Sequence, residues 1–180
     1  GHYPREEADA INILGNNHER MGNWQDALDC YLEALYLSEQ QGNRAHVAVM
    51  RSNIGDIYAL LGQYQQAIEH YQESYRIDVE IDHVDASDGL TLTHMAEAYL
   101  ALNDTVQALD CARRGLALMQ PERFWVGIAR ALTVTGRAYF HAGNLVQAVD
   151  YYEQGLTVAQ EGGAQREAGI AMMRLAEALT

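Results

Sequence analysis

Small and apolar residues recur along this chain with a period of about forty positions. In the first copy, Leu14-Gly15 is followed by Gly22 and Ala27. Later copies of the same order begin at Ile54-Gly55, Met95-Ala96, Thr135-Gly136 and Leu175-Ala176. The first small residues of successive copies lie 40, 41, 40 and 40 positions apart. A fixed period in this range is typical of stacked two-helix units, and such arrays usually serve as binding scaffolds.

Each period contains the signals of a helix, a tight turn and a second helix. In the first copy the turn signals are Gly22, placed to end a helix in the left-handed conformation, and Asn23, placed to cap the next one. The second helix is predicted to run to about Gln40. The first helix is predicted from about Pro4 to Met21, because the following residues lie at helical spacing: Ile11, Leu14, Gly15, His18 and Met21.

Residues that end and cap helices recur at the same places in the later copies. Gly62, Asn103 and Gly143 are predicted to end first helices, since asparagine tolerates the left-handed conformation better than most residues. Asp104 and Asn144 are the predicted caps, and Gln107 and Gln147 three residues on resemble capping boxes. The pattern therefore predicts an all-α chain of four helix pairs plus a last, unpaired helix.

The small residues indicate close contacts between helices, and tyrosines fill the remaining space. Repeat three has Ala112 where the other repeats have a tyrosine on the second helix. Repeat one has His18 where the other repeats have a tyrosine on the first helix, and we interpret His18 as a half-buried packing residue. The tyrosines in question are Tyr58, Tyr99 and Tyr139 on first helices and Tyr31, Tyr71 and Tyr152 on second helices.

These residues resemble the tetratricopeptide repeat, whose pattern places Leu-Gly, an aromatic, Gly, Ala, an aromatic and Ala at set offsets. The resemblance covers about residues 8–180, although the period exceeds the usual 34 residues; longer versions are similar to those of kinesin light chain and of bacterial signalling and peptide-sensing proteins. It implies a right-handed superhelix (an α-solenoid) with a concave groove lined by the first helices, which holds a peptide, a helix or another subunit. Repeats are expected at about 8–43, 48–82, 89–121, 129–163 and 164–180, in one array over 3–180 that follows a tag scar at 1–2.

The amino-acid composition of the chain argues against some classes of binding partner. Twelve basic residues, all arginine, against 25 acidic residues give a net charge of −13, which argues against general binding to nucleic acid or to an anionic membrane. Cys30 and Cys111 occupy equivalent points two repeats apart and are expected to be buried free thiols in a reducing, cytoplasmic setting. No apolar run approaches the length of a membrane span.

No pattern indicates catalysis or a cofactor. The sequence lacks nucleophile-elbow, phosphate-loop and dinucleotide-binding motifs. Its seven histidines form no H-x-x-x-H pair, so neither a metal site nor an enzyme is expected.

The predicted groove supplies the candidate binding residues. Asn12, Asn16 and Asn53 each offer a donor and an acceptor, which suits holding a peptide backbone; alternatively they are ordinary hydrated residues. Arg130, Arg137 and His141 share a helical face and are expected to anchor an acidic group. The alternative is that these arginines pair with neighbouring acids such as Glu97 or Glu177.

Two further segments leave alternatives open. The acidic stretch 78–88 is interpreted as a solvated loop edge, with an acidic docking patch as the alternative. The last helix carries Ile170, Met173 and Leu179, so it caps the array, pairs with another copy or is followed by more chain; we favour continuation.

The resulting hypothesis is a non-catalytic protein- or peptide-binding module of a larger bacterial protein. The alternative is a regulatory or dimerising input domain of a signalling protein such as a diguanylate cyclase, a kinase or a transcription regulator.

Overall fold

The computed structural model describes the backbone of residues 4–180 and the side chains of residues 6–180, so the predicted scar lies outside the described residues. Over that range the backbone forms nine α-helices and no strand, which confirms the predicted four pairs and unpaired last helix. The helices are α1 (Pro4–Arg20), α2 (Trp24–Gln40), α3 (Arg44–Leu60), α4 (Tyr64–Glu80), α5 (Ala86–Ala101), α6 (Thr105–Met119), α7 (Trp125–His141), α8 (Leu145–Glu161) and α9 (Gln165–Ala178).

The helices fall into two compact units, which divide between Val84 and Asp85. The first unit holds α1–α4, and in a core cluster of this unit Tyr31, Met50, Ile54 and Ile57 are fully buried. Burying a side chain of this size contributes about 1.5–3 kcal/mol. Burial of these four side chains therefore favours folding of the first unit.

The second unit holds α5–α9 and packs around two clusters. The larger one gathers Met119, Ile128 and Leu132, and the smaller one consists of alanines, among them Ala129 and Ala159. Small residues are needed here because the backbones approach closely. A Cβ added to Gly115, for example, would lie 2.5 Å from the carbonyl oxygen of Gly89.

The predicted helix ends are confirmed. Gly22, Gly62, Gly143 and Asn103 have φ angles of 79°, 74°, 75° and 62°, which is the left-handed region that ends helices. At the first of these ends, the backbone N–H of Gly22 donates to the carbonyl of Glu19 over 2.9 Å.

The predicted helix starts are partly wrong. The side chains of Asp104 and Asn144 accept from the backbone N–H three residues on, as predicted. Asn23 precedes α2, but its side chain makes no capping bond. Gln147 bonds the side-chain amide of Asn144 instead of the backbone, so the predicted capping box is absent there.

A capping box forms instead at the start of α5, inside the segment interpreted as a solvated edge. The backbone N–H of Asp85 donates to Asp88 Oδ2 over 3.0 Å, and the N–H of Ser87 donates to Asp85 Oδ1 over 2.7 Å. Asp88 is only 3% exposed. The solvated-edge interpretation is therefore wrong for Asp85 and Asp88, because these carboxylates satisfy the free N–H groups of a helix start.

Burial departs from the expected pattern at a few positions. Both cysteines are free thiols, but only Cys111 is buried, while Cys30 is half-buried. On the apolar face predicted for α1, Leu14 and Met21 are 49% and 63% exposed. His18 is half-buried as predicted, and its Nδ1 lies 3.7 Å from Asp26 Oδ2.

Candidate binding surfaces

The three predicted asparagines lie in the first unit, and two of them contact each other. Asn53 Nδ2 donates to Asn12 Oδ1 over 3.1 Å, which joins α3 to α1. This bond uses one donor and one acceptor of the pair. The amide hydrogens of Asn12 and the carbonyl oxygen of Asn53 are not used in this bond.

The third asparagine, Asn16, helps to hold a buried ring. The phenol oxygen of Tyr31 lies 2.7 Å from Asn16 Oδ1 and 2.7 Å from Glu19 Oε2. Burial, followed by the hydrogen bond to Glu19, raises the pKa of Tyr31 far above its usual range. The phenol therefore stays protonated, and Asn16 serves packing as well as the surface.

In the second unit, Arg130 is held by two neighbours on α5. Its Nη1 lies 2.7 Å from His94 Nε2, and its Nε lies 3.3 Å from Glu97 Oε1. The alternative of pairing with a neighbouring acid is thus what the structure shows for Arg130. Most of its charge is matched within the unit.

Arg137 lies about two turns further along α7, and its surroundings differ from those of Arg130. Arg137, Arg130 and Glu97 all line one small pocket, which has a volume of about 60 Å³. Among the described residues we find no ion pair made by Arg137, whereas Arg174, also at this pocket, pairs with Glu177 over 2.8 Å. We call this site the arginine pocket; it is lined by Glu97, Arg130, Thr133, Val134, Arg137, Glu167, Ile170 and Arg174.

The structure thus brings only part of the predicted cluster together. Arg130 and Arg137 share the pocket, but His141 is exposed and does not line it. Sequence reasoning missed Glu167 and Arg174, whose positions at i and i+7 on α9 place them on one helical face. Ile170, predicted for self-association, also lines the pocket, whereas Met173 and Leu179 are 51% and 69% exposed.

One set of side chains in the first unit has the composition of a hydrolytic triad. His46 Nδ1 lies 2.6 Å from Ser38 Oγ, and His46 Nε2 lies 3.4 Å from Asp9 Oδ1. However, Ser38 is fully buried and donates its hydroxyl hydrogen to the carbonyl of Ala34 over 2.6 Å. A nucleophilic serine has to reach the substrate and give its proton to the histidine. Ser38 does neither in this geometry, so the set links α1, α2 and α3 and does not fit a hydrolytic triad.

Metal binding and membrane insertion can be judged in the part of the chain that the structure describes. There, no three histidine, cysteine or carboxylate side chains gather as a group that could hold a metal ion. Nor does any helix in the described range combine the length and the apolar character needed to cross a bilayer.

Comparison with known proteins agrees with the geometry. The sequence model of the family described as "Tetratricopeptide repeat" matches residues 6–78 and 88–161. Among solved structures, the chain is similar to BtubC (BKLC) from P. vanneervenii, with a TM-score of 0.80 and 19% identity over 91% of this chain and 67% of that one. It is similar to a putative kinesin light chain of Podosopora anserina with TPR-like repeats, with a TM-score of 0.77 and 16% identity over 99% and 87% of the two chains.

A third similar structure is longer than this chain. Aspartyl phosphate phosphatase F from Bacillus subtilis gives a TM-score of 0.84 at 16% identity, with 99% of this chain covering 49% of that one. The chain thus spans about half of that protein. Identities this low show a shared fold, and with it the all-α repeat architecture predicted from the sequence is confirmed.

Proposed function

The chain belongs to the tetratricopeptide repeat family, and from this premise we propose that it is a non-catalytic module that binds a protein or peptide partner. The repeat fold supports a role as a protein-interaction scaffold, since stacked helix pairs expose long surfaces without a catalytic centre. As part of the proposal we place the module in a bacterial cytoplasm, because its cysteines are free thiols and disulfides are rare in reducing compartments.

The observation that supports the proposal most is the position of Arg137 in the arginine pocket. The arginine pocket holds three guanidinium groups, and two of them are paired with Glu97 and Glu177. Arg137 makes no ion pair among the described residues, and it lines the pocket with the apolar side chains of Val134 and Ile170 and with the carboxylate of Glu167, which a ligand of Arg137 would have to tolerate. We infer that the pocket receives a carboxylate of the partner, because guanidinium groups bind carboxylates through two parallel hydrogen bonds.

The asparagines of the first unit fit the same role. The open amide hydrogens of Asn12 and the open carbonyl of Asn53 can bond the C=O and N–H of an extended peptide. Such bonds are independent of the peptide's side chains. We propose that this patch contributes affinity, and that the arginine pocket selects for an acidic group.

The test compares Arg137→Glu with Arg166→Glu. Arg166 is exposed in the first turn of α9 and does not line the pocket, so both variants change net charge equally. The probe is a random peptide library, prepared once with free C-terminal carboxylates and once amidated, and offered to the immobilised whole chain. We expect Arg137→Glu to reduce retention of acidic peptides at least about tenfold and Arg166→Glu to have little effect. Equal retention by wild type and Arg137→Glu would refute the role of Arg137.

As a second candidate, we propose a dimerising or regulatory input domain of a larger signalling protein, with self-association through α9. Its support is that Met173 and Leu179 are more than half exposed, and that a Cβ added to Gly169 would have no neighbour within 4 Å. Sedimentation at several concentrations tests this proposal. We expect Met173→Glu to dissociate a dimer, whereas Met21→Glu, at a residue 63% exposed in the first unit, leaves the dimer intact. A wild type that stays monomeric at every concentration would exclude this candidate.

A further inference from the structure

The last helix, α9, has an apolar side that the described residues leave open. Met172 and Met173 are 50% and 51% exposed. Gly169 and Ala176, on the same side of the helix, are exposed as well, and a Cβ added to Gly169 would meet nothing within 4 Å. We call these four residues the open face of α9. The residues by which α9 lines the arginine pocket lie on the other side of the helix.

The preceding helix pair shows what covers this face elsewhere in the chain. The small residues of the open face correspond to Ala129 and Gly136 of α7, forty positions earlier, and both of those are buried. Helix α8 covers them, since Tyr152 packs against Gly136 and a Cβ added to Gly155 would lie 3.2 Å from the carbonyl oxygen of Ala129. The later residue of α8 contacts the earlier residue of α7, so the two helices are antiparallel. The counterpart of the open face is thus covered by an antiparallel helix.

The residue types of the open face indicate which kind of helix fits it. Where a first helix carries glycine at the place that Ala176 takes in α9, the helix that covers it carries tyrosine. In the third repeat this place holds Ala96, the covering helix α6 has Ala112 instead of tyrosine, and both alanines are buried. Helix α9 has Gly169 seven residues before its alanine, as α5 has Gly89. The open face therefore matches the face of α5, and the helix that fits it is of the α6 kind.

The buried side of α6 defines the chemistry of such a helix. Ala108, Ala112 and Gly115 are buried and lie on one side of α6. A Cβ added to Gly115 would lie only 3.0 Å from Thr93 Oγ1 on α5. The counterpart of Thr93 on α9 is Met173, which is larger, so close packing on α9 also requires a small residue at that point.

From these observations we propose that the open face of α9 binds a helix of a partner protein, antiparallel to α9, whose buried side follows the pattern Ala-x-x-x-Ala-x-x-Gly. The proposal does not depend on the arginine pocket and adds a second contact to the proposed binding function. A second copy of the chain would offer its own α9, with Met173 in the place of Ala112 and Ala176 in that of Gly115. A partner helix with the smaller residues at both places therefore fits the open face better than a second copy does.

The experiment uses the sequence of α6 as its probe. A synthetic peptide of residues 104–120 is cross-linked between the positions of Arg113 and Ala117, which are exposed in the chain, because a free peptide of this length is only marginally helical. Its matched variant carries Ala112→Tyr. Fluorescence anisotropy measures the binding of both peptides to the whole chain as wild type and as Ala176→Gly, Ala176→Glu and Ala45→Glu. Ala45 is exposed on α3, so the last variant controls for the added charge.

We expect wild type to bind the alanine peptide at least about tenfold more tightly than the tyrosine peptide. Ala176→Gly should reverse this preference, because it restores the glycine that tyrosine packs against. Ala176→Glu should lose the binding, and Ala45→Glu should keep it.

Three results would overturn the proposal. One is that wild type binds neither peptide or binds both equally. Another is that wild type forms a dimer that Ala176→Glu dissociates, since a second copy then occupies the open face. The third is that Arg137→Glu loses the peptide, which would place it in the arginine pocket. Unchanged peptide binding by Arg137→Glu supports the proposal, whether or not the arginine pocket binds a carboxylate.

Discussion

The ring of Tyr152 occupies the space where a side chain on Gly136 would lie. A Cβ added to Gly136 would be 2.6 Å from Tyr152 Cδ1 and 3.1 Å from the carbonyl oxygen of Ala148. The ring is 1% exposed, so it has little room to move aside. The glycine on one helix and the tyrosine on the next are therefore a matched pair, and the same match joins Gly15 to Tyr31 and Gly55 to Tyr71.

The first prediction concerns Gly136→Ala. Alanine favours a helix by about 1 kcal/mol over glycine, but crowding a packed core costs about 1–3 kcal/mol. Because the ring and a backbone carbonyl both oppose the new methyl group, we expect the crowding cost to exceed the helix gain, with a net loss of up to about 2 kcal/mol in the free energy of unfolding. Urea denaturation followed by circular dichroism measures the change.

Gly169→Ala is the matched control in the same unit. Gly169 also lies inside a helix, but a Cβ there would meet nothing within 4 Å. We expect this substitution to stabilise the chain by up to about 1 kcal/mol. If both alanine variants were stabilised equally, the contact between Gly136 and Tyr152 would not limit packing.

A second prediction concerns the start of α5. Asp85→Ala removes the acceptor for the N–H of Ser87, and loss of such a cap costs about 0.5–2 kcal/mol. Asn23→Ala is the control, since Asn23 stands before α2 without a side-chain capping bond. We expect the melting temperature to fall clearly for Asp85→Ala and to change little for Asn23→Ala. A larger fall for Asn23→Ala would contradict the capping geometry.

A third prediction concerns pH and His70, which stacks on Tyr58. Burial, and then the charge of Arg51, lowers the pKa of His70 in the folded chain. As pH falls through the ordinary histidine pKa of about 6.5, the unfolded chain takes up a proton that the folded chain refuses. His70 therefore lowers the free energy of unfolding progressively as pH falls through about 6.5. At higher pH, where the histidine is neutral in both states, it causes no such loss.

His70→Tyr should weaken this dependence, because tyrosine already stacks at the equivalent position as Tyr151 on Tyr139. We expect the loss of unfolding free energy between about pH 7.5 and pH 5.5 to be smaller in the variant than in wild type. His83→Tyr, at an exposed residue, removes the same number of histidines and should keep the wild-type slope. Parallel slopes for wild type and His70→Tyr would count against this account.

A fourth prediction concerns thiol reactivity. Cys111 is 2% exposed, and burial raises its pKa to about 11. The pKa of Cys30 is also raised, by burial and then by Glu33 and two aspartates, but its side chain is half-buried and can be reached. Because the thiolate is the reactive form, both should react slowly near pH 8, with Cys111 reacting only when the chain opens. Labelling of Cys30→Ser and Cys111→Ser chains with a disulfide reagent compares them, and equal rates would show that Cys111 is accessible.

Features governed by local backbone chemistry could be predicted from the sequence. Gly22, Gly62 and Gly143 were correctly placed at left-handed helix ends because glycine adopts that conformation without a steric penalty. Asp82 and Arg123 adopt the same conformation, with φ angles of 54° each. Aspartate is enriched in this conformation, so Asp82 carried a weak signal that the repeat pattern did not use, whereas arginine carries none.

The candidate sites depended on partners far apart in sequence. Arg130 pairs with Glu97 on another helix, and the sequence offered both Glu97 and Glu177 as acids for it. The choice is made by helix packing and side-chain rotamers, which a periodic pattern does not specify.

The matched glycine and tyrosine also bear on how such repeats can change over generations. In the third repeat, the same two positions hold Ala96 and Ala112, both buried. If a repeat changed from the glycine–tyrosine pair to the alanine–alanine pair by single substitutions, its intermediate would have one of two defects. Alanine with tyrosine is crowded, and glycine with alanine leaves a cavity. The crowded route costs about 1–3 kcal/mol, and the hollow route, which removes the ring first, costs about 3–5 kcal/mol. The two residues are therefore expected to be inherited and exchanged together, so that a piece moved between repeats has to carry both of them.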